Sequence, residues 1–393
     1  MTGNRTRIAL ISVLVFVLVT VLPAAGLSAG DAPVRTIVVF DEGVRAPALA
    51  QTAAPGAVKV KNLPLVNGAV FLLPSRASQK AVARLAGVRY VESDAIAYTT
   101  AKPVKPALPQ ALPWGIDRIN ADAAWATTTG DPVKVAIVDT GIDTTHPDLA
   151  ANVMGGMSAV NYTRKYTDDN GHGTHVAGIV AALDNSIGVV GVGPDIDLYA
   201  VKVLNRKGSG YVSDIIEGLG WCQRTEMDVV NMSLGTSSDL QSFHDAVSAL
   251  YESGTVIVAA AGNDGIGSAV NYPAAYSEAI AVSATTQTDG LAYFTCTGPE
   301  VELSAPGSSI YSTYKNGGYA TLSGTSMASP HVAGAAALVL ARPIDGSDAN
   351  GDGKWDPAEV RARLHATAED QGSEGWDSDF GYGLVRADLA IAP

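Results

Sequence analysis

The sequence predicts an α/β protein: a three-layer, doubly wound, mainly parallel sheet preceded by a small α+β unit. Three observations carry that expectation. Beyond residue 130, short apolar runs bounded by turn residues alternate with helical stretches, the pattern of a parallel sheet covered on both faces. Before residue 100, a strand, helix and strand alternate in a segment of their own. Between the two, Thr99-Thr-Ala-Lys-Pro-Val-Lys-Pro-Ala-Leu-Pro places three prolines within seven residues, which neither a helix nor a central strand accommodates. That stretch is expected to be an extended, exposed linker of the kind proteases cut.

In chain order, Arg5 and Arg7 precede a nearly pure apolar run over 8–22, followed by small residues that suit cleavage near Ala29. The run has 15 residues where a span wants about 20. Residues 1–29 are therefore expected to be a cleaved secretory leader rather than an anchor, and the product to be extracellular. Residues 30–104 are expected to hold the α+β unit and the start of the linker. Its strands are expected at 36–40, at 69–73, and at 90–91 running into the Ile96 region, with a helix over 78–85. Residues 105–393 hold the larger domain. Its strands are expected at 133–138, 198–203, 229–232, 256–260 and 279–282, and its helices at 173–183, 212–224 and 240–253.

At 47% hydrophobic and 17% charged, the 393-residue chain is globular rather than disordered. Its 26 basic residues against 39 acidic ones give a net charge of −13, which offers no basic face to a phosphate backbone or an anionic membrane. Neither nucleic acid nor lipid is an expected partner. No heptads or exposed apolar helix suggest an assembly, so a monomer is expected. Cys222 and Cys296 are too few for a disulfide framework and are expected to be separate, partly buried thiols.

In such sheets, functional groups gather outside the carboxyl ends of the strands. Val135-Ala-Ile-Val-Asp-Thr-Gly-Ile-Asp closes an apolar strand on Asp139, which reads either as a turn or helix cap or as a half-buried catalytic acid. Gly171-His-Gly-Thr-His-Val-Ala-Gly opens a helix, and the glycines flanking His172 permit close backbone approach. A histidine pair suggests a metal, but Gly173 stands where a zincin needs glutamate, and His175 reads as a core residue. Gly324-Thr-Ser-Met-Ala-Ser-Pro-His-Val-Ala-Gly runs into an apolar helix over 333–340. Ser326 there is either a cap or a hydroxyl placed where a helix N-terminus favours developing negative charge. The order Asp, His, Ser and the presence of Ala328 argue against the α/β-hydrolase elbow.

These three segments together resemble the signature segments of the subtilisin-like serine peptidases, in that family's order, and the resemblance covers most of the chain from Leu112 onward. It implies a triad of Asp139, His172 and Ser326. In Ala259-Ala-Ala-Gly-Asn-Asp-Gly it implies an oxyanion role for Asn263, which otherwise reads as an ordinary turn asparagine. Gly208-Ser-Gly-Tyr and Ser233-Leu-Gly offer glycine-bearing backbone edges for strand addition by a peptide. By similarity, Gly208, Ser209, Gly210, Ser233, Leu234 and Gly235 line the substrate groove. Gly262 and Asp264 then lie near the pocket for the residue before the cut. The expected partners are polypeptide substrates.

The resemblance further implies a calcium loop at Leu183-Asp-Asn-Ser-Ile-Gly-Val, which on its own is only a turn. Its ligands would be the side chains of Gln110, Asp148 and Asn185 and the carbonyls of Leu183, Ile187 and Val189. A second calcium loop stands on its own residues. Asp348-Ala-Asn-Gly-Asp-Gly-Lys-Trp-Asp-Pro-Ala-Glu matches the EF-hand pattern: Asp348, Asn350 and Asp352 give oxygens, Gly353 the turn, Lys354 a carbonyl and Glu359 a closing carboxylate. An acidic solvated loop is the alternative. Residues 31–100 resemble the propeptide of these enzymes, implying a folding assistant and temporary inhibitor removed by self-cleavage within 99–109. The expectation is therefore a secreted, calcium-stabilised serine endopeptidase made as a zymogen. The rivals are a catalytically silent peptide binder of the same fold and a calcium-dependent adhesion protein.

Overall fold

The computed structural model describes residues 32–43, 54–99, 109–344 and 346–392. The expected leader and most of the expected linker lie outside the described residues.

The N-terminal unit is an antiparallel sheet of β1 (Val34–Phe40), β2 (Val58–Leu63), β3 (Gly68–Leu73) and β4 (Val88–Ser93), in the order β2-β3-β1-β4. Alternation splits its apolar residues between two faces. Val38, Phe40, Ala69, Phe71 and Leu73 pack with Val82 of helix α1 (Arg76–Val82). Ile37, Val39, Leu63 and Val70 face the other way and join the core of the larger domain. A separate strand, β5 (Ile96–Tyr98), follows after Asp94 turns the chain, where the sequence suggested one continuous run.

The larger domain is built on β6 (Lys134–Asp139), β7 (Val153–Ser158), β8 (Asp197–Lys202), β10 (Val229–Met232), β11 (Val256–Ala260), β12 (Ala279–Thr285) and β13 (Val301–Pro306), with β9 (Ser209–Tyr211) outside that sheet. The seven strands run parallel in the order β13-β12-β11-β10-β6-β8-β7. Val135 and Ile137 of β6 face helices α2 (His172–Ala181) and α5 (Thr325–Leu340), whereas Ala136 and Val138 face α3 (Val212–Arg224) and α4 (Gln241–Glu252). Burial on both faces explains why these strands read as unbroken apolar runs.

Strands β2, β7 and β13 and the hairpin β14 (Ile310–Tyr314) with β15 (Gly318–Leu322) escaped the sequence pattern. In β7, a Cβ on Gly156 would lie 2.2 Å from the Ala200 carbonyl, so close packing demands a residue that sequence reads as a strand breaker. Among the described residues, no helix is long and apolar enough to cross a membrane.

Candidate active site

Strand β6 ends at Asp139 and α2 begins at His172, both buried at the carboxyl end of the sheet. Nδ1 of His172 lies 2.9 Å from each carboxylate oxygen of Asp139. Close approach is possible because Gly173 has no side chain: a Cβ there would sit 2.2 Å from the Gly141 carbonyl and 3.1 Å from Cβ of Asp139. Thr140 fixes the join. Its amide donates to Asp139 Oδ1 at 2.6 Å, its hydroxyl donates to Asp168 at 2.9 Å, and the same hydroxyl accepts from the Gly173 amide at 2.9 Å. With Nδ1 engaged, Nε2 of His172 is buried and has no hydrogen-bond partner among the described residues. A donor or acceptor brought to that nitrogen would meet no competitor.

Ser326 lies in the first turn of α5, and α5 packs against α2. Its hydroxyl donates to the Ser233 carbonyl at 3.0 Å, and the Ser233 hydroxyl donates back to the Ser326 carbonyl at 2.8 Å. Asn263, in the turn after β11, accepts from the Thr325 amide at 2.9 Å and the Thr325 hydroxyl at 3.1 Å through Oδ1. Those bonds fix its amide plane and leave Nδ2 buried without an acceptor. An unsatisfied buried donor is costly, and beside a hydroxyl at a helix start it is suited to receive an anionic oxygen.

The two glycine-bearing edges, expected to receive a substrate peptide, flank a strand of the chain itself. Strand β5 runs antiparallel to β9, pairing Ile96 with Tyr211, Ala97 with Gly210 and Tyr98 with Ser209. On its other side the Tyr98 amide donates to the Gly235 carbonyl at 3.2 Å and the Gly235 amide returns the bond at 3.4 Å. The Thr99 amide donates to the Gly208 carbonyl at 2.7 Å. A cleft of about 580 Å³ continues beside it, lined by Leu234, Gly235, Gly262, Asn263, Asp264 and Asn271 among others. The Asp264 carboxylate there accepts from Asn271 at 3.0 Å.

His175 is a core residue. Its Nε2 lies 3.1 Å from the carbonyls of Ile310 and Ala320, and burial pushes its pKa down to about 3. Cys222 and Cys296 are unpaired and fully buried, deeper than the partial burial expected, and burial raises both thiol pKa values. Neither is poised as a nucleophile.

The residues of the first expected calcium loop converge. Asn185 Nδ2 and the Val189 amide donate to the two oxygens of buried Asp148, at 2.6 and 3.0 Å, and Gln110 Oε1 accepts from the Asn185 amide at 2.6 Å. The Leu183 amide donates to the Asp148 carbonyl at 3.0 Å, and Ile187 follows with its amide on Asn185 Oδ1 at 2.7 Å. Burial raises the pKa of Asp148, with these hydrogen bonds offsetting part of the shift, so a cation beside it would relieve an exposed cost. In the second loop, Gly353 takes φ +78°, and Asp348 accepts from the amides of Gly351 and Gly353 at 2.7 and 3.0 Å. Asn350 and Asp352 turn onto the amides of Asp352 and Lys354, both at 2.8 Å. Glu359 accepts from the Ala349 and Asp356 amides and completes a capping box with Asp356 at the start of α6 (Pro357–Thr367), a role the sequence reading did not foresee. Among the described residues, no three His, Cys, Asp or Glu side chains group closely enough to hold a metal, so Asp348, Asp352 and Glu359 do not form a carboxylate cluster in this arrangement.

Asp168 and Lys202 also escaped sequence reading. Both are buried polar side chains, and a single sequence distinguishes them from solvated ones only through the fold.

The class is that of a serine endopeptidase. The model of the Subtilase family matches residues 130–383. Subtilisin Savinase of Lederbergia lenta is 48% identical over 282 residues, 72% of this chain and 99% of its own length. Subtilisin amylosacchariticus of Bacillus subtilis subsp. amylosacchariticus is 44% identical over 335 residues, 84% of this chain and 82% of its own. Minor extracellular protease Epr of Bacillus subtilis (strain 168) is 48% identical over 278 residues, 70% of this chain, which spans only 41% of that relative. The chain belongs to the subtilase family.

Proposed function

We propose that this chain is a secreted serine endopeptidase made as a zymogen, hydrolysing peptide bonds with Asp139, His172 and Ser326 and helped by calcium. The observation that carries the reading is the 2.9 Å contact of His172 Nδ1 with both oxygens of Asp139, which leaves Nε2, buried on the other side of the ring, without a hydrogen-bond partner among the described residues.

In the proposed reaction a polypeptide lies between the 208–211 and 233–235 edges, in the place of β5. Ser326 Oγ attacks the scissile carbonyl while His172 Nε2 takes its proton, and Asp139 stabilises the resulting imidazolium. Negative charge on the carbonyl oxygen meets Asn263 Nδ2 and the amide end of α5. His172 then returns the proton to the leaving amine, and water repeats the sequence on the acyl-enzyme. For the attack, Ser326 has to release the Ser233 carbonyl, which its hydroxyl binds at 3.0 Å.

Residues 30–104 act in this reading as an intramolecular inhibitor, because residues 96–99 fill the groove that a substrate needs. Export is supported by the leader-like residues 1–29 and by the printed name of an extracellular relative. Calcium, a hard cation that would tie surface loops together, would be held by Gln110, Asp148, Asn185 and the carbonyls of Leu183, Ile187 and Val189. At the second loop the holders would be Asp348, Asn350, Asp352, Glu359 and the Lys354 carbonyl.

The reading is tested by expressing Ser326→Ala. The variant is expected to stay full length and to leave casein uncut, while the unaltered chain loses its N-terminal unit and digests casein. Undiminished cleavage by the variant would overturn it and leave the silent peptide binder as the better description.

A further inference from the structure

Lys202 has no exposed surface, although lysine is among the residues least often fully buried. It ends β8, opposite Asp139 in the β6–β8 pairing. An ammonium has three donors, and all three are used. They reach the Thr140 carbonyl at 2.5 Å, Asp169 Oδ1 at 2.6 Å and the Leu204 carbonyl at 3.2 Å. The three acceptors belong to three different parts of the site. Thr140 follows Asp139 and binds its carboxylate through the backbone amide. Asp169 lies in the run that leads to His172. Leu204 precedes the edge strand β9, and its amide joins that of Val203 on the Asp139 carbonyl, at 3.1 and 2.9 Å.

We propose that Lys202 is a positioning residue of the hydrolytic site, its ammonium holding the Asp139 strand end, the approach to His172 and the substrate edge in one arrangement. This rests on the triad reading above. With Asp169 38% exposed, an ion pair with one solvated member is worth little to stability, so a role in geometry and local charge accounts for the lysine better than stability does. Asp169 balances the charge, and its other carboxylate oxygen accepts from the Tyr162 hydroxyl at 2.8 Å.

The imidazole of His172 is surrounded by other titrating groups. Asp139 bonds it from β6, Asp168 accepts the amide of neighbouring Gly171 with Asp169 next in the same loop, His175 lies on its own helix with His331 acting on His175, and Tyr314 of β14 lies against Gly171. Lys315 and Arg206 touch the same loop from outside, through the Asp169 carbonyl and the Asn170 side chain. Changing either member of the Lys202–Asp169 pair alters the net charge of this environment in a known direction.

The test is kcat and KM against pH for the processed enzyme and its Lys202→Met and Asp169→Asn variants. Removing the cation makes the protonated, inactive imidazole easier to reach, so Lys202→Met should move the acidic limb of kcat/KM to higher pH by about 0.5 unit. Asp169→Asn should move it to lower pH by a similar amount. The double variant should return it close to its starting place. For Lys202→Met, kcat should fall by at least tenfold more than KM rises. Should Lys202→Met fail to fold, Asp169→Asn still reads the charge, since Asp169 is partly exposed and its loss leaves the lysine bonds to two carbonyls. A lower melting temperature with both limbs unmoved would overturn the proposal. Fluorophosphonate labelling of Ser326 separates the two readings: a labelled enzyme with unmoved limbs refutes the lysine alone, and an unlabelled one refutes the triad.

Discussion

The two larger sheets among the described residues are held in different ways. The seven-stranded parallel sheet is buried on both faces, and its site is locked by internal hydrogen bonds such as those converging on Asp168. The four-stranded sheet has a small core of its own on one face and shares the other with α3 and α4. Around that shared face the contacts are polar. Asp94 accepts the Ser213 amide at 2.9 Å, near the start of α3, and Glu92 accepts the amides of Gln241 and Ser242 at the start of α4. Arg35 pairs with Asp94 at 2.6 Å and Lys61 with Asp214 at 2.6 Å, with Glu217 beside it. Carboxylates at helix starts are favourable by fractions of a kcal/mol to about 2 kcal/mol. The comparison teaches that what has to persist is packed on both faces, whereas the unit proposed to leave is fastened by one apolar face rimmed with charges and caps, and by one added strand.

The sharpest way to break this contrast lies in the body. Asn263→Ala should lower kcat by about 10² to 10³, a scale taken from the corresponding change in subtilisin, with little change in KM. Near-normal kcat would remove the orphaned amide from the mechanism. Next in size is calcium. In the Ser326→Ala chain, excess EGTA should lower the melting temperature by several degrees, about 2.7 kcal/mol at a hundredfold excess of calcium over its Kd. Asp148→Asn should erase most of that difference, and an unchanged melt would count against both loops.

The fastening of the N-terminal unit is expected to be weaker. Asp94→Asn should cost the interface about 1–2 kcal/mol, seen as several-fold earlier release of caseinolytic activity during maturation. An unaltered time course would mean that the cap does not hold the inhibitor in place.

The smallest expected effect is on pH dependence. Burial lowers the pKa of His175 to about 3 and of His331 to about 4, so the folded chain keeps both neutral where the unfolded chain protonates them below about 6.5. More protons bound by the unfolded state means stability falls as pH drops, by up to about 1.4 kcal/mol per pH unit for each histidine. His331→Gln in the Ser326→Ala background should therefore flatten the loss measured by denaturant between pH 6.5 and 5. An equal slope would show that the buried imidazole is not the cause.

Much of this was legible in the sequence because the site sits where apolar strands stop. Asp139 closes β6 and the Asn263 turn follows β11, and both runs show the unbroken hydrophobicity of double burial. Strand β7 was not legible, since contact with Ala200 demands glycine there, and β2 alternates on a half-exposed surface. Nor were Lys202 and Asp168, whose letters look like any surface charge until the fold closes over them. That the strand after Val91 would lead into the groove was implied by the resemblance to the propeptide, and the register adds that Tyr98 pairs with both edges at once.

The most direct test of the account is adduct mapping on the processed enzyme with a fluorophosphonate. The account predicts one equivalent of label, on Ser326, lost in His172→Ala although Ser326 is still present. Label on another residue, or label undiminished by the histidine change, would contradict it.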